Sequence, residues 1–132
     1  MDDARLETTP TEFVSAQGIK FAYRRFGKSD GTPLLFLQHF SGNMDSWDPA
    51  VVNALGKDRS VVVFNSAGVG TSSGETPDNV AQMALDAMKF ISALGLKRID
   101  LLGYSLGGFI AQILAADQSA LRSSPLLSAE QR

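Results

Sequence analysis

Cysteine is absent and histidine occurs once, at His39. Without Cys there can be no disulfide, no thiolate nucleophile and no Cys-based metal site. With one His, any mechanism that needs two histidines from this chain is excluded. Charge of one sign is lacking too: 12 Lys+Arg stand against 14 Asp+Glu, a formal net charge of −2. No basic stripe offsets phosphate charge, which argues against a nucleic-acid partner. No run approaches the ~18 apolar residues of a spanning helix. Residues 1–10 are acidic and polar, with neither a basic n-region nor an apolar h-region. These absences predict a soluble, cytoplasmic protein with no membrane partner. What is present is ordinary for a globular domain: 44% hydrophobic and 20% charged residues. That apolar content is too high, and the net charge too low, for disorder. A length of 132 residues allows one domain.

Hydrophobic patterning predicts strands and helices in alternation. Residues 12–16 and 19–26 flank Gln17-Gly18, and Ile19, Phe21 and Tyr23 alternate with Lys20, Ala22 and Arg24. This reads as a hairpin near a sheet edge. Short apolar runs at 34–37, 60–64 and 99–102 read as strands buried on both faces of a parallel sheet, the last weakened by Asp100. Asp48 is a candidate N-cap with Pro49 at the first helical position, and Gly56 ends that helix. Thr76-Pro77 repeats the signal. Val80, Met83, Ala84, Ala87, Phe90, Ile91 and Leu94 then form one apolar stripe closed by Gly95. A third helix is expected over 106–116, with Phe109, Ile110, Ile113 and Leu114. Strands alternating with helices imply βαβ units. Residues 1–11 read as an N-terminal tail, 12–117 as the folded unit and 118–132 as an irregular tail.

The segment with the most chemical content is Gly103-Tyr104-Ser105-Leu106-Gly107-Gly108. A predicted strand runs into it and a predicted helix runs out, the context a G-x-S-x-G nucleophile elbow requires. Such a turn exposes the Ser105 hydroxyl above the sheet. Small residues two before and two after it let strand and helix approach closely. The Leu106 N–H then lies at a helix N-terminus, where it can donate to a developing oxyanion. The plainer alternative is a glycine-rich turn with an incidental Ser. A phosphate-binding P-loop fails, because Phe109 stands where Lys must follow Gly108. A dinucleotide loop at Gly68 and Gly70 fails as well, because Ser73 occupies the third glycine position. The direct role of Gly68 to Gly74 is that of a tight, packed loop.

With Leu37-Gln38-His39-Phe40-Ser41-Gly42 after an apolar run, and Phe64-Asn65-Ser66-Ala67-Gly68-Val69-Gly70 further on, the chain resembles the α/β-hydrolase superfamily. The three matches cover roughly residues 12–117. The resemblance looks nearest to small esterase, haloperoxidase-like or perhydrolase-like members. It implies a mostly parallel α/β sheet with flanking helices, of which this chain supplies about strands 1–5 of eight, in the order 1-2-4-3-5. It also implies that the loop after the third strand gives the second oxyanion donor. That donor aligns with the Phe40 N–H, with Ser41 as the alternative. Asn65 stands where the family often has Asp.

In such a family the nucleophile is followed by an acid and then by a His. No His follows Ser105; the acids after it are Asp117 and Glu130. His39 lies in the proposed oxyanion loop and reads as a pocket-lining residue rather than the base. Asp45, Asp48 and Asp100 read as a loop acid, an N-cap and a strand-end or surface acid. The resemblance therefore implies Ser-dependent hydrolysis of a small ester or related acyl substrate, with no cofactor and no metal. The chain as written would be almost inactive, looking truncated, with its strand carrying Ser105 at an open edge. A C-terminal half supplied by another chain is one completion. The alternative is a non-catalytic binding or regulatory product.

Overall fold

The chain reverses at Gln17-Gly18, where both residues have positive φ, 50° and 88°. Two left-handed residues in succession make a type I′ turn, whose twist matches that of flanking antiparallel strands. The turn joins β1 (Glu12–Ala16) to β2 (Ile19–Gly27), paired in the register Val14 with Phe21 and Ala16 with Ile19. This is the hairpin expected from the alternation, and β1 is a sheet edge. The computed structural model describes residues 6, 8–28, 31–37, 44, 49–96, 99–103 and 126–127.

The remaining strands are β3 (Leu34–Leu37), β4 (Ser60–Phe64), β5 (Asp100–Gly103) and β6 (Leu126–Leu127). The sheet order is β1-β2-β4-β3-β5-β6. Pairing is antiparallel from β1 to β2 and from β2 to β4, and parallel from β4 through β3 and β5 to β6. The expected α/β class and the order of the first five strands hold. Two expectations are corrected. The tail contributes a two-residue strand, with Leu126 beside Leu102 and Leu127 beside Gly103. The strand leading to Ser105 is therefore paired on both sides there, not left open. Backbone groups at an apolar sheet edge need partners, and even a dipeptide supplies some.

β3 and the Val61 to Phe64 run of β4 are apolar because both their faces are covered. Leu34, Phe36, Val61 and Val63 point to one side with Ala22, Phe26 and Val52, the last from α1 (Pro49–Gly56). Leu35, Leu37, Val62 and Phe64 point to the other, beneath Ala84, Ala87, Phe90 and Ile91 of α2 (Val80–Ala93). Phe90 is fully buried and stacks on Phe64 at 4.3 Å between ring centroids, with Phe21 edge-on at 5.5 Å.

The start of α2 departs from the Thr76-Pro77 signal. The cap is Asn79, whose side-chain oxygen accepts from the Gln82 N–H at 2.8 Å. Thr76 is engaged elsewhere: its hydroxyl donates to the Ala67 carbonyl at 3.3 Å. The helical backbone begins at Val80, directly after Asn79, so Thr76 lies too far ahead of it to cap it. The far end closes as expected. The Leu96 N–H reaches the Ile91 carbonyl and the Gly95 N–H reaches that of Ser92, with Gly95 at φ 74°. That pair of bonds is a Schellman motif. Asp48 and the helix expected over 106–116 lie outside the described residues.

Candidate active site

The parallel register aligns the carboxyl ends of the central strands. Leu37, the last residue of β3, is the Cα partner of Gly103, the last of β5. β4 runs alongside β3 in the same direction, with Leu35 beside Val62. The segments that leave β3, β4 and β5 therefore start from one edge of the sheet. In open α/β sheets that edge is where ligands bind.

Gly103 opens the elbow motif, and Ser105 follows it by two residues. His39, Phe40 and Ser41 follow Leu37 within four residues. Ser105, Leu106, His39, Phe40 and Ser41 themselves lie outside the described residues. The structure places their points of departure side by side.

The third segment, after β4, is described in full. Asn65 is 4% exposed and bonded on three sides. Its N–H donates to the Ala22 carbonyl at 3.0 Å, and its own carbonyl accepts from the Ser72 hydroxyl at 2.7 Å. Its side-chain oxygen accepts from the Met44 N–H at 2.9 Å. The Ser72 hydroxyl in turn accepts from the Ala22 N–H at 2.9 Å, and the Ser73 hydroxyl accepts from the Lys20 N–H at 2.8 Å. Two glycines are required here. At Gly68, with φ 78°, a Cβ would lie 2.3 Å from the Thr76 nitrogen; at Gly70, with φ 56°, it would lie 2.6 Å from Asn65 Nδ2. The loop is thus the tight, packed element that its glycine spacing predicts.

Sequence reasoning missed the bond between Asn65 and Met44. The two residues are 21 apart, and no local pattern marks such a pairing. The one available signal was a polar residue placed directly after the apolar run Val61 to Phe64.

Asp100 lies at the opposite, amino end of β5, where it pairs with Arg59. Tyr23 has its phenol pushed up from the ordinary 10.0, chiefly by burial and then by the nearby Glu12 carboxylate. Its hydroxyl donates to Glu12 at 3.3 Å, which ties the hairpin together. Among the described residues no group of three or more His, Asp or Glu could hold a metal ion. No described helix is long and apolar enough to cross a membrane.

Strand order, pairing directions and the convergence of three carboxyl ends agree with the comparison to known families: the model for the alpha/beta hydrolase fold matches residues 32–129. The chain belongs to the alpha/beta hydrolase fold family. It is similar to an alpha/beta hydrolase fold protein from Chitinophaga pinensis, with 45% identity and a TM-score of 0.90. That match covers 93% of this chain and 45% of the other. It is 32% identical to a dihydrolipoyllysine-residue acetyltransferase component of an acetoin cleaving system from Cupriavidus necator, over 88% of this chain and 31% of that protein. It is 31% identical to a serine hydrolase of Homo sapiens, over 78% of this chain and 37% of that protein. This alpha/beta hydrolase chain thus spans about a third of the length of these curated relatives.

Proposed function

We propose that this chain carries the nucleophile of a serine hydrolase that acts on a small ester or related acyl substrate. Ser105 Oγ attacks the acyl carbonyl carbon while its proton passes to a base. The carbonyl electron pair moves onto oxygen, and that oxyanion is held by the N–H groups of Leu106 and Phe40, with Ser41 as the alternative donor. Collapse expels the alcohol, which takes the proton. Water then attacks the acyl-enzyme, releasing the acid and restoring Ser105. His39 lines the pocket. The reaction uses no cofactor and no metal, and the substrate is a small molecule met in the cytoplasm.

The observation that carries this reading is the register of Leu37 with Gly103, which starts the elbow and the oxyanion segment from adjacent positions. The similarity to a protein named a serine hydrolase supports it. No His follows Ser105 in the sequence. In this reading the base and its orienting acid lie outside these 132 residues, a C-terminal half being one source. Alone, the 132 residues turn over very little, since removing the base costs on the order of 10⁶ in kcat in another serine hydrolase.

A fluorophosphonate probe is the direct test. Slow, stoichiometric labelling of Ser105, abolished in Ser105→Ala, is expected. Ester turnover that survives Ser105→Ala overturns the assignment. The second reading is a non-catalytic binding or regulatory product. That reading predicts no labelling at Ser105.

A further inference from the structure

We propose that Asn65 is a positioning residue for the oxyanion segment, acting through the backbone of Met44. The proposal rests on the serine-hydrolase reading for the role of that segment, but its geometry is independent of it. The chain between β3 and α1 is held at Leu37, in register with Gly103, and again at Met44. Met44 is anchored twice. Its side chain is 2% exposed within the core on the α1 side, and its N–H donates to Asn65 Oδ1 at 2.9 Å. Phe40 and Ser41, the two candidate donors, lie in sequence between these anchors.

Asn65 is itself immobilised from both directions. Its backbone is bonded to Ala22 and Ser72, and its side-chain amide occupies the space that a Cβ at Gly70 would need. A side chain held so firmly can act as a reference point, because a donor must be placed within a few tenths of an ångström to stabilise an oxyanion. The residue type also suits the task, since its side-chain oxygen accepts the Met44 N–H. The Ser72 hydroxyl and the Gly70 backbone thus belong to the same device, as supports for Asn65 rather than as parts of the site.

The test uses the full chain and three variants. Asn65→Ala removes the acceptor. Asn65→Ser is a milder change whose oxygen is too short to reach Met44. Asn65→Asp keeps an oxygen in place. Amide hydrogen exchange is read at Met44, with Val62 and Leu101 as internal standards for an intact sheet. Exchange at Met44 is expected to accelerate about tenfold or more in the Ala and Ser variants, and to stay near the original rate in Asp, given the usual worth of a buried hydrogen bond. Unchanged protection at Met44 in either shortened variant with an intact sheet overturns the proposal.

Fluorophosphonate labelling supplies the second readout. The rate at Ser105 is expected to fall about tenfold in the shortened variants and to recover in Asn65→Asp. Equal labelling rates in all four proteins overturn the positioning role even if Met44 exchange responds. If the original chain is not labelled at all, it is the serine-hydrolase reading that fails. The exchange arm alone then decides whether Asn65 holds Met44.

Discussion

Arg59 and Asp100 form an ion pair that ties the turn before β4 to the first residue of β5. The same guanidinium donates to the Thr32 carbonyl at 3.0 Å, just before β3. One side chain thus gathers the amino ends of three central strands, at the edge opposite the candidate site. Both partners are only partly exposed, 26% and 18%. Replacing Arg59 with Met is expected to lower stability by about 1 kcal/mol, measured by urea denaturation, because the pair sits between the surface and buried regimes. The difference from the original protein should narrow in 1 M salt, where the Debye length falls to about 3 Å.

The hairpin turn is improvable. Gln17 adopts φ 50°, a left-handed conformation that costs a long side chain more than it costs Asn. Gln17→Asn creates the Asn-Gly pair that type I′ turns favour. A gain of about 0.5 kcal/mol is expected as a higher urea midpoint with an unchanged slope. A fall in the midpoint would mean that Gln17 makes a compensating contact.

Phe90 and Leu85 lie on the same helix and should behave oppositely. Phe90 is fully buried between Phe64 and Phe21, whereas Leu85 is 57% exposed. Phe90→Ala is expected to cost about 3–5 kcal/mol through lost burial and a residual cavity. Leu85→Ala should stay within about 0.5 kcal/mol. Thermal unfolding of the two variants side by side separates the outcomes.

Tyr23 predicts an alkaline limit. Its phenol is raised in the folded state, first by burial and then by the Glu12 carboxylate. The folded protein therefore holds this proton more tightly than the unfolded chain does. The associated stability is fully present below the ordinary tyrosine range near 10.0 and is lost as pH rises through the folded value. Urea midpoints measured upward from pH 9 should decline, and Tyr23→Phe should flatten that decline. Equal declines in both proteins would assign the effect to other groups.

The strands were readable because each carries its own signal. The run Leu34 to Leu37 is wholly apolar and so is Val61 to Phe64, which marks burial on both faces. The Gly95 closure of α2 was readable for the same local reason: only a residue free to take φ 74° ends the helix that way. The start of α2 was misplaced because Thr76 and Asn79 are both plausible caps in isolation. The choice between them turned on where the helical backbone begins, at Val80, directly after Asn79. β6 was missed because two leucines carry no period, and a strand that short exists only where a neighbour offers its edge. At the candidate site, Ser105 and its flanking glycines were legible as a motif, while the Asn65 clamp on Met44 was not.

By itself the sequence determined the family and the succession of β1 to β5 with α1 and α2, and it offered Ser105 as the candidate nucleophile. Each of these is written in neighbouring residues, as an apolar run, a period or a short motif. Only the tertiary structure decided that Leu37 stands beside Gly103, that Asn65 holds Met44, and that Arg59 reaches Asp100. Those partners are distant along the chain. Their meeting depends on parallel register and on packing both faces of one sheet, quantities that no local stretch of sequence contains.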